Sequence, residues 1–315
     1  MTSVSIIICT RNRAALLRPT LESLRRLEIP RDYSAELIAV DNASTDETAR
    51  LIQTSYLPNL RVRYLYEGTS GKSHGVNSAL RAAHGEIILC TDDDVRVRND
   101  WIEAMCKPIV KGEADLVGGE VRIAEHLKRD WMTQTHLNWL ADTTGLPEMN
   151  RLPFGANMGF HRRVLSAVPC LDTELGPEKF NADDILFCLQ VREMGFRIVI
   201  VPSVVEHHLD ASRLLYKYWQ RRAWMEGHAE AFLAYHWFRR QVRFTALRGL
   251  YKKLQLSWYR FSRGRKCNDQ EGCSAAELHL MMYAEFFRAY AKEQRKPRKY
   301  QRKGPDDHLR VPPPG

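Results

Sequence analysis

The sequence predicts an α/β fold in which a mostly parallel sheet is flanked by helices. Short apolar runs of strand length alternate with longer segments whose apolar residues recur every three or four positions. Strands that alternate with helices form βαβ units, and the strands of such units run parallel. The length of 315 residues and the hydrophobic content of 44% allow one large domain with an appendage.

Four of the strands are predicted before residue 95, at 4–9, 36–40, 61–66 and 86–91. The first is rich in β-branched residues, and the last contains four consecutive apolar residues, which is typical of strands buried on both faces. Between the first two strands, leucines lie on one helical stripe until Pro30 ends the helix.

Beyond residue 95 the apolar periodicity is weaker. We predict a long loop with helical turns at 125–150, a segment long enough to form a lid or a wall of a site. The other predicted elements are helices at 101–110 and 182–194, a short strand ending in glycines at 115–119, and a strand at 197–201.

Three consecutive carboxylates, Asp92, Asp93 and Asp94, directly follow the fourth predicted strand. An ionised carboxylate that leaves water unpaired is strongly destabilised, and neighbouring negative charges repel one another. One interpretation is a solvated acidic turn, since short acidic runs are common on protein surfaces. The other is a cation site, and a site made of oxygen ligands favours Mg²⁺ or Mn²⁺.

Polar side chains also follow the other early strands. Arg11 and Asn12 follow the first, Asp41 ends the second, and Lys72 lies in the loop after the third. The loop around Lys72 is not a P-loop, because Tyr66 occupies the position of the required first glycine. Ligands bind where the carboxyl ends of strands meet at one edge of an open α/β sheet. We therefore expect these side chains and the three aspartates to converge on one crevice.

Charge divides the chain into two parts. Residues 1–210 hold 24 Lys and Arg against 29 Asp and Glu, a net charge of −5. Residues 211–315 hold 23 against 9, a net charge of +14. The C-terminal third is therefore expected to face an anionic partner, such as a lipid surface, a nucleic acid or a phosphate-bearing substrate.

Two features stand out in this basic third. Apolar residues at helical spacing form one stripe, made of Phe244, Leu247, Tyr251, Leu254, Trp258 and Phe261. The stripe predicts either a helix packed on the body or a helix lying on anionic lipid. Residues 288–303 hold eight Lys and Arg against one Glu, so we predict a basic, disordered tail at 291–315 that ends in prolines.

From Ser5 to about Arg213, the order and spacing of these motifs resemble family 2 glycosyltransferases of the GT-A fold. The resemblance implies a Rossmann-like catalytic domain at 1–210, with a nucleotide-sugar half at about 1–118 and an acceptor half at about 119–210. A helical basic extension at 211–290 and the tail would follow it.

The same resemblance implies which residues form the site. The implied nucleotide-sugar site consists of Thr10, Arg11, Asn12, Arg13, Asp41, Lys72, Asn77, Asp92 and Asp93. The implied ligands of Mg²⁺ or Mn²⁺ are Asp94 and His207, and the implied acceptor side is Gly155, Ala156 and Asn157. Asp183 and Asp184 match the acidic pair of the family, in which Asp184 would be the catalytic base.

Two positions depart from the family pattern. The acidic pair is usually Glu-Asp, whereas Asp183 is one methylene shorter and so reaches less far. Processive members carry Q-x-x-R-W, but the segment from Gln220 to Trp224 has Ala223 in the place of the arginine. The resemblance therefore implies a non-processive enzyme.

The expected reaction is an inverting sugar transfer from a nucleoside-diphosphate sugar to a hydroxyl of a glycan or lipid-linked acceptor. Cleavage of the sugar–phosphate bond leaves growing negative charge on the diphosphate, which a divalent cation on Asp94 and His207 would offset. Asp184 would take the proton of the acceptor hydroxyl from the far side of the anomeric carbon.

Two other functions remain open. A nucleotidyltransferase of related fold should carry a glycine-rich loop after the first strand, and residues 10–13 contain no glycine. A non-enzymatic membrane or nucleic-acid adaptor would use the basic third, but it leaves the acidic crevice unexplained, and a body of net charge −5 would repel a polyanion such as nucleic acid.

The sequence also leads to an expectation about location. It contains no apolar stretch of the roughly eighteen residues that a membrane span requires, and no N-terminal signal sequence is predicted. We expect a cytoplasmic protein that attaches peripherally to the membrane face through its basic helix.

Overall fold

A computed structural model describes residues 1–146, 152–264 and 267–300 of the chain. Its strands are β1 (Thr2–Thr10), β2 (Tyr33–Asp41), β3 (Arg61–Tyr66), β4 (Ile87–Thr91), β5 (Val95–Arg96), β6 (Leu116–Ile123), β7 (Asn157–His161) and β8 (Ile198–His207). In the described ranges they form one sheet in the spatial order β3–β2–β1–β4–β7–β6–β8–β5.

The first half of this sheet is parallel. β1 lies between β2 and β4 and is parallel to both, and β3 extends the parallel half beyond β2. β7 is inserted antiparallel between β4 and β6, while β6 and β8 are again parallel. The predicted α/β fold with a mostly parallel sheet is confirmed.

Helices cover both faces of the sheet and form the C-terminal extension. They are α1 (Ala14–Arg25), α2 (Thr48–Thr54), α3 (Lys72–Ala82), α4 (Trp101–Val110), α5 (Gln134–Trp139), α6 (Val164–Ala167), α7 (Asp183–Glu193), α8 (Tyr216–Phe232), α9 (Thr245–Arg263) and α10 (Ala275–Glu293). One apolar layer packs α1, α2 and α4 against the sheet, and a second layer packs α3, α6 and α7 against the opposite face.

The central strand β1 explains the two layers. Ile6 and Ile8 belong to the layer with α1, and Ile7 and Cys9 belong to the layer with α3, because successive side chains of a strand point to opposite faces. Since both faces are covered, residues 6–9 of β1 form a continuous apolar run, and the strand ends at the polar Thr10.

The predicted strand at 115–119 is too short. β6 continues through the glycines to Ile123, with an irregularity in its pairing between Gly118 and Glu120. A β-carbon on Gly119 would lie 2.0 Å from the Nδ2 atom of Asn157, so glycine is required by close packing. The strand predicted at 197–201 is likewise extended, because β8 runs without interruption to His207.

The predicted loop at 125–150 contains two helical turns in its described part. These are a 3₁₀ turn at Glu125–Leu127 and the short helix α5. The remainder of this prediction, residues 147–150, lies outside the described residues.

The helical C-terminal extension consists of α8, α9 and α10. α8 and α10 pack at close range through Gly227, where a β-carbon would lie 2.5 Å from the carbonyl oxygen of Met282. Among the described residues, no helix is both long enough and apolar enough to cross a bilayer.

The prediction of a disordered tail from residue 291 is wrong for residues 291–300. α10 continues to Glu293, and Tyr300 is buried with its hydroxyl donating to the carboxylate of Asp172. Lys299 Nζ lies 3.0 Å from Oδ1 of the same aspartate. The charge pattern reveals the excess of basic residues but not this partner, which is 127 positions away in sequence. The rest of the predicted tail, 301–315, lies outside the described residues.

Candidate active site

A cleft of about 460 Å³ opens at the carboxyl ends of β1 and β4. The residues that line it come from the strand ends, the first turn of α3, the start of α7 and helix α8. Predicted site residues among them are Thr10, Arg11, Arg13, Lys72, Asp92, Asp93, Gly155, Ala156, Asp183, Asp184 and His207. The convergence expected from the strand ends is therefore present for most of the predicted residues.

The three aspartates after β4 have different partners. Asp92 contacts Lys72 Nζ, which lies in the first turn of α3. Asp93 is buried, accepts a hydrogen bond from Thr10 Oγ1 at 2.6 Å and pairs with Arg13 at 2.6 Å. Asp94 is buried as well and pairs with the same guanidinium at 2.5 Å. The triplet is therefore not a solvated acidic turn, because every carboxylate has a cationic partner.

His207 brings a nitrogen ligand to Asp94 from the end of β8. Its Nδ1 lies 3.2 Å from the carbonyl oxygen of Leu140, and a carbonyl only accepts, so Nδ1 carries the proton. Its Nε2 then presents a lone pair to Asp94 Oδ1 at 3.1 Å, and neither atom has a hydrogen-bond partner. Two buried acceptors that face each other require a cation or a further proton between them.

Asp92 completes a set of ligands at this point. One ligand atom each from Asp92, Asp94 and His207 lies within 4.8 Å of the others. Two carboxylate oxygens and an imidazole nitrogen suit Mn²⁺ or Mg²⁺. The arrangement can hold a divalent cation, and it includes Asp92, which the resemblance implied only as a nucleotide-binding residue.

A second pair of carboxylates lies at the amino end of α7. Asp183 is buried and accepts from Ser73 Oγ at 2.7 Å, whereas Asp184 is half-buried and accepts from the backbone N–H of Gly155 at 3.1 Å. Burial raises the pKa of Asp183 to about 7, to which the charge of Asp184 also contributes. Burial likewise raises the pKa of Asp184. A carboxylate with a raised pKa is a stronger base than free aspartate, and Asp184 is the more accessible of the two.

Sequence comparison extends these observations. The family model described as glycosyl transferase family 2 matches residues 5–168. This span covers the parallel half of the sheet, the three aspartates and β7. The chain belongs to glycosyl transferase family 2.

Individual relatives agree with this assignment. A β-monoglucosyldiacylglycerol synthase from Nostoc sp. is 25% identical over 241 residues, which cover 74% of this chain and 50% of that protein. The chain therefore spans about half the length of this curated relative.

The fold is also seen in the mannosyltransferase PcManGT from Pyrobaculum calidifontis, which was solved with GDP-Man and Mn²⁺. It matches with a TM-score of 0.56 and 22% identity over 92% of this chain and 86% of that one. Glucosyl-3-phosphoglycerate synthase from Mycobacterium tuberculosis matches with a TM-score of 0.53 and 17% identity, over 74% and 79% of the two chains.

Five predicted site residues lie outside the described lining of the cleft. They are Asp94, which is buried behind the lining with its cationic partners, and Asn12, Asp41, Asn77 and Asn157. Asp41 is buried at the end of β2, where it accepts from the Ser44 N–H at 2.9 Å and from the Tyr64 hydroxyl at 3.0 Å. The Asn12 side chain accepts from the N–H of Thr45 at 2.6 Å.

The two other asparagines hold backbone in place. Asn157 accepts from Trp101 Nε1 at 2.9 Å and donates to the carbonyl oxygen of Ser203 at 2.9 Å. Asn77 donates to the carbonyl oxygen of Leu171 at 2.8 Å and accepts from the N–H of the same residue at 3.0 Å. Leu171 lines the cleft, so Asn77 supports the wall from behind.

We expect Asn77→Ala to lower the free energy of unfolding by about 1–3 kcal/mol, because it leaves the buried backbone groups of Leu171 without their partner. Chemical denaturation measures this loss. If Asn77 instead binds the nucleotide directly, the variant should lose affinity for the donor while its unfolding free energy stays unchanged.

The sequence analysis did not predict several residues of the cleft that lie after residue 210, beyond the predicted catalytic domain. Arg213 Nη2 lies 3.9 Å from Asp94 Oδ2, and Arg221 lines the cleft from α8. Arg222, also on α8, is buried and pairs with Glu226 at 2.5 Å. The available signal was the partial Q-x-x-R-W match at 220–224, which placed two arginines near the site. The position that departs from the processive pattern is Ala223, between Arg222 and Trp224.

Proposed function

We propose that this glycosyltransferase moves a sugar from a nucleoside-diphosphate sugar to an acceptor hydroxyl, in one displacement that inverts the anomeric carbon. The observation that carries the proposal is the position of the two carboxylate groups in the cleft. Asp92 and Asp94 lie with His207 at the carboxyl end of β4, while Asp184 lies at the start of α7. Asp92 and Asp94 are placed to stabilise the leaving diphosphate, and Asp184 is placed to take the proton of the acceptor hydroxyl.

The donor side combines cation ligands with basic side chains. Arg11, Arg13, Lys72 and Arg213 all line the cleft, and Arg13 and Lys72 are paired with the aspartates. Positive groups fixed beside the ligand set would bind the diphosphate and orient it. Burial opposes the charge of Lys72, but the neighbouring carboxylate of Asp92 outweighs it and raises the pKa, so the ammonium stays charged.

Asp92, Asp94 and His207 would hold Mg²⁺ or Mn²⁺. A bound divalent cation supplies charge that stabilises the departing diphosphate. The complex of the related mannosyltransferase with GDP-Man and Mn²⁺ supports this part of the proposal. The facing acceptors of Asp94 and His207 are also compatible with it, since a bound cation would satisfy both atoms at once.

Asp184 is the proposed general base. Its carboxylate is oriented by the N–H of Gly155 and lies at the helix terminus, where the backbone stabilises negative charge. Asp183 accepts a hydrogen bond from Ser73 and would thereby fix the start of α7, on which Asp184 lies. The acceptor would enter along Gly155 and Ala156, with the acceptor half of the domain at about 119–210 and the donor half at about 1–118.

The acceptor class is proposed from two observations. The Nostoc relative is a β-monoglucosyldiacylglycerol synthase, which suggests a lipid acceptor by analogy. Arg221 and Tyr218 line the cleft from the extension that follows the catalytic body, so residues beyond 210 would contribute to acceptor binding. A glycan or lipid-linked acceptor remains our proposal.

The rate should depend on pH in the way that a raised pKa dictates. The base acts only when it is deprotonated, so kcat/KM should fall as pH falls through the pKa of Asp184. Burial raises this pKa above the ordinary value of 3.8. The acidic limb of a kcat/KM–pH profile should therefore inflect above the ordinary aspartate range. A flat profile down to the denaturation limit would contradict the assignment of Asp184.

The proposed function is tested by incubating the full chain with a panel of nucleoside-diphosphate sugars and measuring release of the nucleoside diphosphate. We expect release from one donor class when Mn²⁺ or Mg²⁺ is present and loss of release after EDTA treatment. Undiminished release in EDTA would contradict the cation site. Release of pyrophosphate from a nucleoside triphosphate and a sugar phosphate would instead indicate a nucleotidyltransferase.

A further inference from the structure

Helix α9 carries an apolar face that the rest of the described chain leaves uncovered. Trp258 is 71% exposed, Phe244 77% and Phe261 88%. The complete exposed stripe consists of Phe244, Leu247, Leu250, Tyr251, Leu254, Trp258 and Phe261. Phe244 immediately precedes α9, and the other six positions span about 100° of the helix circumference at about 100° per residue. The helix expected from the sequence is therefore present, but its apolar stripe faces solvent instead of the protein body.

The opposite side of α9 is firmly attached. Arg260 Nε donates to Glu277 Oε1 at 2.8 Å, and Arg248 lies over the ring of Phe287 at 4.5 Å. Leu256 packs on an apolar cluster that includes Trp219 and Tyr216. α9 is thus held on α10 and α8 through its inner side, so exposure of the stripe is a feature of the packed helix.

The charge of α9 restricts what can cover the stripe. The helix contains five basic residues, Arg248, Lys252, Lys253, Arg260 and Arg263, and no acidic residue. Arg248 and Lys253 border the stripe on either side at about 100° per residue. A second copy of the chain that docked through this stripe would bring two sets of positive charges together, which is unfavourable. An anionic surface is favoured for the same reason.

We propose that the stripe of α9 docks the protein on an anionic lipid bilayer. An amphipathic helix with aromatic and leucine residues on one face and basic residues beside it lies in the plane of the headgroup–acyl boundary. The aromatic side chains of Tyr251 and Trp258 suit that boundary, where one end of the ring is apolar and the other is wet. The basic residues add attraction to anionic headgroups.

Docking in this orientation fixes the cleft relative to the bilayer. Leu256 and Tyr218 both pack against the buried cluster that contains Trp219, and Tyr218 also lines the cleft. Helix α9, which would lie on the bilayer, is thus linked to the cleft wall through one apolar cluster. This consequence for a lipid-linked acceptor rests on the proposed function, whereas the docking itself does not.

The test is flotation of the full chain with vesicles of phosphatidylglycerol and phosphatidylcholine, compared with vesicles of phosphatidylcholine alone. We expect flotation with the anionic vesicles at low salt and loss of flotation at high salt. Exchange of two apolar anchors, Trp258→Ser with Phe261→Ser, should weaken binding at least about 100-fold. Removal of one flanking charge, Lys253→Gln, should weaken it about fivefold.

Tyr56→Ser is the matched control, because Tyr56 is equally exposed at 71% but lies on the catalytic body away from α9. It should float like the unmodified chain. Failure of the unmodified chain to float at low salt would overturn the proposal, as would unchanged flotation of the Trp258→Ser and Phe261→Ser variant. A concentration-dependent dimer that this variant disrupts, without any vesicle binding, would assign the stripe to self-association and also overturn it.

Flotation needs no donor or acceptor, so its outcome is independent of the proposed reaction. A chain that floats but releases no nucleoside diphosphate from any sugar donor retains bilayer docking and loses the proposed function. A chain that releases nucleoside diphosphate from the donor but never floats retains the proposed function and loses bilayer docking.

Discussion

Replacing Asp184 by Asn is expected to lower the turnover number about 10²- to 10⁴-fold, which is the usual contribution of a general base. Asn retains the size of the side chain and can still accept from the N–H of Gly155, but it cannot take the acceptor proton. The dissociation constant of the donor, measured by calorimetry, should barely change because Asp184 lies on the acceptor side. Steady-state kinetics with the identified donor gives the comparison.

Asp183→Asn is the matched neighbour for this experiment. Asp183 is buried, and its carboxylate already accepts a hydrogen bond from Ser73. It is therefore less available to the acceptor proton than Asp184, and its replacement should lower the turnover number less. The larger fall in turnover number should therefore belong to Asp184→Asn. If Asp183→Asn causes the larger fall, the base must be reassigned within the pair. If Asp184→Asn loses donor affinity without a separate loss of rate, Asp184 belongs to the donor site.

Asp94→Asn is expected to abolish tight Mn²⁺ binding and to lower turnover by about 10²-fold or more, since charge stabilisation by a metal ion contributes several kcal/mol. The substitution removes the anionic ligand that faces His207 Nε2. The amide of the new Asn can donate to that nitrogen, so the fold should be retained. Electron paramagnetic resonance of Mn²⁺ in the presence of a nucleoside diphosphate measures binding without reference to turnover.

Asp93→Asn is the control from the same triplet. Asp93 is turned toward Thr10 and Arg13, and it is not one of the three residues whose ligand atoms converge. We expect its Mn²⁺ affinity to remain close to that of the unmodified chain. Equal loss of Mn²⁺ binding in both variants would show that the triplet acts only through its summed charge.

The parallel half of the fold could be predicted because its signals are local. The strand predicted at 61–66 coincides with β3, and the apolar run that precedes Asp92 is β4. The glycines at 118–119 were misleading for a physical reason. They predicted the end of a strand, whereas Gly119 is needed for the close approach of Asn157, a contact that no local pattern contains.

The tail shows the same limit for charge. A run of basic residues at 288–303 predicts disorder when nothing opposes it, but Asp172 binds both Lys299 and Tyr300 in the folded chain. The partners of a charged run are set by tertiary structure, and the sequence pattern records only one side of each pair. The stripe on α9 could be recognised as a helix from spacing alone. The spacing could not show whether other parts of the chain cover the apolar stripe of that helix.

The site could be predicted where residues follow strand ends. Lys72, Asp94 and Asp184 line or border one cleft because the topology brings strand and helix ends to one edge. The roles of Asn77 and Asn157 could not be read in this way, since a side chain that binds backbone and one that binds ligand look alike in sequence. The arginines of α8 were missed because they lie beyond the sheet that defines the edge.

A single displacement assisted by Asp184 determines which anomer of the sugar forms first. Water can replace the acceptor, so slow hydrolysis of the identified donor releases a free sugar whose configuration is visible by proton NMR before mutarotation. We expect inversion, so that an α-linked donor yields the β-sugar first and Asp184→Asn slows its formation. Release of the α-sugar first, with the configuration of the donor retained, would contradict it.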